Sequence, residues 1–203
     1  KTTPQATRSR KLIPETWDVP EVFRRRLGDS VGRQRAMVAE GHLLMVLHEP
    51  PKADDEIRDA RLFWRNPQGE WTINDTTRQI RSLHQHLEQY DAQMDKLEKM
   101  EEQASTADVY FELLSELTVL YRAARNQHVA FQEAREAIDS RDLINFRDRC
   151  YMLELMAELL QSDAKNALDL TIARRAEEQA DTSYHMAVSA HRLNVLVAFF
   201  FPI

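Results

Sequence analysis

Residues 141–203 read RDLINFRDRCYMLELMAELLQSDAKNALDLTIARRAEEQADTSYHMAVSAHRLNVLVAFFFPI, with no glycine and no proline before Pro202. In a helix interior a glycine costs about 1 kcal/mol and a proline about 3 kcal/mol, so their long absence predicts one continuous helix. At 1.5 Å per residue it is roughly 90 Å long, far beyond the usual globular helix. Its first half carries a seam at alternating steps of three and four, namely Leu143, Phe146, Cys150, Leu153, Ala157, Leu160, Ala164 and Ala167. A seam of that kind accepts packed neighbours. The rhythm continues through Ala173, Ala176, Ala180, Ser183, Ala187, Ala190 and Asn194, where the side chains become small. Small residues let helix backbones approach closely and supply little apolar area. Such a seam suits identical helices gathered around an axis, and it also suits an alanine-rich surface packed on one neighbour.

Moving toward the N-terminus, all four glycines and six of the seven prolines lie at or before Gly69. The chain therefore divides near residue 74. Between that point and the long helix, capping residues punctuate two more helices: Thr76 with Gln79, Ser105 with Asp108, and Asp139 or Ser140 before Asp142. The first places Ile80, Leu83, Leu87, Tyr90, Met94 and Leu97 on one seam, and the second Tyr110, Leu113, Leu117, Leu120, Ala124, His128 and Phe131. Glu88, Asp91, Asp95, Glu98, Glu101 and Glu102 leave the first helix acidic elsewhere. The two are expected to form an antiparallel hairpin.

Before residue 74 the pattern changes. Residues 1–16 are read as a mobile tail with order beginning near Trp17, because residues 1–11 are polar, basic and have little to bury. A short helix is expected from Phe23 to Leu27, opened by Pro20 with Asp18 as cap and stopped at Gly28, with a second short helix after it. His42–His48 (HLLMVLH), closed by Pro50 and Pro51, reads as a buried strand. Ala60 to Arg65 and Glu70 to Ile73 flank the turn residues Asn66, Pro67, Gln68 and Gly69, which predicts a hairpin. The fold class is thus α+β and predominantly helical: a small α/β unit over 17–74, an acidic helical hairpin over 75–139, and a long stalk helix over 140–203.

Composition narrows the function classes. The chain of 203 residues is 30% charged and 8% aromatic, which favours helices with solvated faces over a thick core. A formal charge of −6 argues against nucleic acid as a partner, since no basic patch offsets it. One cysteine, Cys150, allows no intramolecular disulfide and no zinc ribbon. His84 and His86 are two apart and face different ways on a helix, His42 and His48 flank an apolar run, and no Glu-x-x-His pair occurs, so a transition-metal centre is not expected. Neither a nucleophile elbow nor a phosphate loop is present, and no enzyme is expected. Trp17, Trp64 and Trp71 read as core or hairpin anchors.

The last residues, Leu193-Asn194-Val195-Leu196-Val197-Ala198-Phe199-Phe200-Phe201-Pro202-Ile203, are steadily apolar. An exposed patch of this kind marks an interface or a membrane segment, and it is too short to span a bilayer alone. The expectation is a chain cut within a transmembrane helix that the long helix enters directly.

Two segments now resemble the CorA-type divalent metal ion transporters. That family carries a short arginine-rich signature before a buried strand, and Arg33-Gln34-Arg35-Ala36-Met37-Val38 leading to Leu43–His48 looks like it. Its stalk enters the membrane through a basic residue, a leucine, a threonine, an apolar run and a phenylalanine shortly before proline, a pattern similar to His191, Leu193, Asn194, Val195 to Ala198, Phe200 and Pro202. Arg147-Asp148 resembles a further family motif whose first aspartate takes part in intersubunit metal sensing in some members. Ala187 and Ala190 stand where many members carry asparagine and methionine.

The resemblance implies a homopentamer of the cell (inner) membrane whose stalk helices surround a pore for Mg2+, or for Co2+, Ni2+ or Zn2+. Ser183, Ala187, Ala190, Leu193 and Asn194 would line that pore, with Leu193 as its hydrophobic constriction. Asp148 would be a regulatory metal ligand, and residues after about 193 would enter the bilayer. The competing expectation, from another class, is a cytoplasmic coiled-coil scaffold with an apolar docking peptide at its C-terminus.

Overall fold

The computed structural model describes residues 12–28, 31–54, 59–75 and 80–200. Its elements are α1 (Glu21–Arg26), β1 (Arg35–Ala39), β2 (His42–His48), β3 (Ala60–Arg65), β4 (Trp71–Asp75), α2 (Leu83–Gln103), α3 (Ala107–Ala137) and α4 (Arg141–Phe200). The molecule is α+β and mainly helical, with a four-stranded antiparallel sheet in the order β1-β2-β3-β4.

The sheet is a meander closed by two different turns. Ala39 pairs with His42, and the residues between them, Glu40 and Gly41, both have positive φ, 52° and 77°. Two consecutive residues of that kind make the hairpin turn whose twist matches the strands, with a glycine at the second position. The expected second short helix is absent among the described residues, and β1 stands in its place. Arg35-Ala36-Met37-Val38-Ala39 has no polar alternation to announce a strand, and it is held by pairing with β2. The β3–β4 turn was legible: Arg65 pairs with Trp71, Asn66 Oδ1 accepts from Glu70 N at 2.9 Å, and Gly69 has φ 91°.

Strand β2 is buried on both faces, and its alternating side chains divide the core. Leu43, Met45 and Leu47, with Phe63 of β3, pack against Ile80, Leu83, Leu87, Phe131, Leu143, Phe146 and Cys150. Leu44 and Val46, with Met37 and Leu62, face Ile13, Trp17, Phe23 and Leu27. The sheet is thus covered on one side by the helices and on the other by α1 and the segment before it. This corrects the extent of the tail: Ile13 is buried, and Arg24 donates to Pro14 O at 3.1 Å and Trp17 O at 2.7 Å. Packing begins before Trp17 because these carbonyls satisfy an arginine on α1. Asp18 does not cap α1; Pro20 is itself the N-cap, and no side chain caps the helix.

The three seams are filled mostly as their spacing predicts, except that Gln127 is buried on α3 while the expected His128 is half-buried and pairs with Glu154, and Leu168 is buried on α4 where Ala167 is half-buried. A second core joins Tyr90, Met94 and Leu97 of α2, Tyr110, Leu113, Leu117, Leu120 and Ala124 of α3, and Leu153, Ala157, Ala164 and Leu168 of α4. The connection between α2 and α3 is three residues long, and contacts such as His86 with Gln127 set them antiparallel. Thr76 and Gln79 lie outside the described residues, and α2 is capped by Ser82, whose side chain accepts from Gln85 N. Thr106, not Ser105, caps α3 by accepting from Val109 N. Helix α4 is 60 residues long. It contributes to both cores up to Leu168 and then leaves them.

Candidate functional site

The small-residue seam lies wholly on the part of α4 beyond the cores. Every described side chain from Ile172 to Val197 is exposed except Val188, which is half-buried. About 40 Å of helix therefore stands clear of the rest of the molecule. Ser183, Ala187, Ala190, Leu193 and Asn194 are all exposed on this segment, Leu193 by 61%. Ala187, Ala190 and Asn194 fall on one stripe, and Leu193 lies about 60° from Ala190 on its flank.

Toward its end this helix becomes strongly apolar. Leu193, Val195, Leu196, Val197 and Phe200 are exposed by 61%, 43%, 54%, 49% and 76%. At 100° per residue Leu193, Leu196, Val197 and Phe200 cover one arc of about 100° and Val195 lies opposite, which leaves a broad apolar face without a neighbour. Among the described residues no helix is long and apolar enough to cross a membrane.

Asp148 sits near the start of α4. Its side chain is 59% exposed and pairs with Arg147 Nη2 at 2.7 Å. The neighbouring Arg149 is engaged elsewhere, donating through Nε to Asp91 Oδ2 of α2 at 3.0 Å. No group of three or more histidine, cysteine, aspartate or glutamate side chains able to hold a metal ion occurs among the described residues. A single copy thus offers one carboxylate at this position and no cage.

The arginine-rich segment before β2 has a local explanation. Gln34 is buried; its amide donates to Ala123 O of α3 at 2.9 Å and accepts from His48 N at 3.2 Å. Arg35 donates to Val31 O at 2.8 Å and to Arg33 O at 2.9 Å. The segment joins the sheet to α3 and folds the entry into β1.

A buried polar cluster was not foreseen. Arg61 of β3 is fully buried, with Glu49 at 3.1 Å and Asp75 at 3.6 Å as its carboxylate partners. Its Nη1 donates to Gln89 Oε1 at 2.7 Å and lies 3.1 Å from His86 Nδ1. His86 Nε2 is 2.8 Å from the Gln127 side-chain amide, which also lies 3.6 Å from Cys150 Sγ. Burial, and secondarily the Arg61 charge, holds the His86 imidazole down to about 3. Burial pushes the Cys150 thiol up. A neutral imidazole and an un-ionised thiol suit a fixed internal network and not nucleophilic chemistry. The available signal was positional: His86 falls beside Leu83 and Leu87 on the seam, and Arg61 stands between Ala60 and the apolar run Leu62-Phe63-Trp64. In comparisons with known proteins, no family model matches this chain and no curated protein sequence matches it.

Proposed function

We propose that this chain is the cytoplasmic part of a CorA-like divalent cation channel, with Mg2+ as the favoured ion and Co2+, Ni2+ or Zn2+ as the alternatives of the same class. The observation that carries this reading is the projecting half of α4, an exposed small-residue seam that runs into a strongly apolar, exposed end. Neither feature is satisfied within one copy. Five copies around an axis would cover the seam and a bilayer would cover the end, and the location proposed with this reading is the inner face of the cell membrane.

In such an assembly Ser183, Ala187, Ala190 and Asn194 form a wide, mildly polar lining, with Leu193 as a collar of apolar bulk. Mg2+ dehydrates reluctantly, so a lining without fixed ligands passes it with its waters. A leucine collar resists the same hydrated ion by excluding water. Asp148 is the regulatory ligand of this scheme, its further ligands coming from a neighbouring copy and from water. Metal bound there would compete with Arg147 for the carboxylate. Losing the metal would restore like-charge repulsion between copies and shift the population toward the open form.

The test is the oligomeric state of the protein carrying its membrane segments, measured in detergent by native mass spectrometry. A pentamer is expected. A monomer or dimer that binds a cytoplasmic protein through its apolar end would favour the scaffold reading.

A further inference from the structure

The buried cluster has a direction that its hydrogen-bonding chemistry determines. A guanidinium can only donate, so His86 Nδ1, 3.1 Å from Arg61 Nη1, must present its lone pair. The ring is therefore neutral and carries its one hydrogen on Nε2. Whatever lies 2.8 Å from Nε2 must then accept, and of the two Gln127 amide atoms only the oxygen can do so. With Gln127 Nε2 toward His86 two donors would face each other. The reversed amide occupies the same volume and removes the conflict, leaving its NH2 toward Cys150 Sγ, a weak acceptor, at the 3.6 Å contact.

The members come from every layer on this side of the sheet. Arg61 belongs to β3, His86 to α2, Gln127 to α3 and Cys150 to α4, all four fully buried, while Glu49 beyond the end of β2 is 24% exposed. We propose that Arg61, His86, Gln127 and Cys150 form a one-way hydrogen-bond relay, anchored at Arg61 by its ion pair with Glu49, that couples the rim of the sheet to the long helix α4. Glu49 is its solvent-reaching anchor and Cys150 its far end. Each link orients the next: the carboxylates place the guanidinium, the guanidinium selects the imidazole tautomer, and the tautomer selects the amide orientation. Buried polar strings of this kind act as units, so a change at one end is felt at the other. The relay holds whether or not α4 lines a pore.

Two measurements on the whole chain test it. Long-range 15N–1H correlation spectra at neutral pH are expected to show His86 as the Nε2–H tautomer. In Arg61→Met the ring loses its donor and should populate the Nδ1–H form. Amide hydrogen exchange around Phe146 to Leu153 should then quicken by at least about threefold relative to Ala164 to Leu168, which lie on the same helix beyond the relay. Should Arg61→Met fail to fold, Glu49→Gln, which leaves the Arg61–Asp75 pair in place, is expected to change the same ratio in the same direction. An Nδ1–H or doubly protonated His86 in the unaltered protein would overturn the assignment. An unchanged exchange ratio in Glu49→Gln, or in a folded Arg61→Met, would overturn the coupling.

Discussion

Arg61 faces Leu47 across β2 and Asp75 across β4, so a fully buried cation sits in a sheet otherwise packed with leucine, methionine and phenylalanine. It is tolerated because two carboxylates, Glu49 and Asp75, and two hydrogen-bonding neighbours, His86 and Gln89, compensate it, and removing one partner of such a pair is far more damaging than its presence is stabilising. His86 shares the cost. Its imidazole, held down to about 3 chiefly by burial, stays neutral in the folded chain where an unfolded histidine takes up a proton below about pH 6.5. Above that pH neither state is charged and the contribution to stability is whole; as the pH falls from about 6.5 toward about 3, the unfolded state binds the extra proton and stability is lost. Urea denaturation at pH 7 and pH 5 should show this loss, bounded by about 1.4 kcal/mol per pH unit for one group. His86→Asn should flatten the difference while lowering stability at both values. An unaltered slope in that variant would mean that other groups carry the acid sensitivity.

The helices show which features a sequence displays and which it conceals. Seams at steps of three and four in α2, α3 and the first half of α4 are legible because one buried stripe needs apolar residues at that period, and Leu83, Leu113 and Leu143 all prove buried. The same rule conceals His86 and Gln127, which occupy seam positions as polar residues whose partners arrive from distant elements. Strand β1 was hidden for a related reason: Ala36 and Val38 are half-buried on the helix side and only Met37 is buried on the other, so its alternation is faint. The proposed pore-facing positions are a different case, since their small side chains would gain meaning only from copies outside one chain. The two halves of the α4 seam can be told apart by substitution. Ala157 is fully exposed to neighbours and not to solvent, so Ala157→Leu should overpack the α3–α4 contact and cost about 1–3 kcal/mol in the isolated chain. Ala176 is exposed, and Ala176→Leu should leave thermal stability within about 0.5 kcal/mol. Loss of stability at Ala176 in the isolated chain would show that the projecting segment already has a partner there.

For the whole molecule the central claim is that the projecting half of α4 is one fifth of a pore wall with Leu193 at its narrowest level. Leu193 and Val195 are both exposed and lie about 200° apart around the helix, so a pore face at one excludes it at the other. The measurement is divalent cation influx into proteoliposomes holding the protein with its membrane segments, for the unaltered chain, Leu193→Ser and Val195→Ala, with and without Mg2+ inside. Removing the leucine bulk lets water into the constriction and lowers the barrier to a hydrated ion. Leu193→Ser should therefore raise influx several-fold and weaken its inhibition by internal Mg2+, while Val195→Ala behaves as the unaltered protein. Influx unchanged by Leu193→Ser but altered by Val195→Ala would contradict the pore face, and no divalent flux in any of the three would contradict the channel.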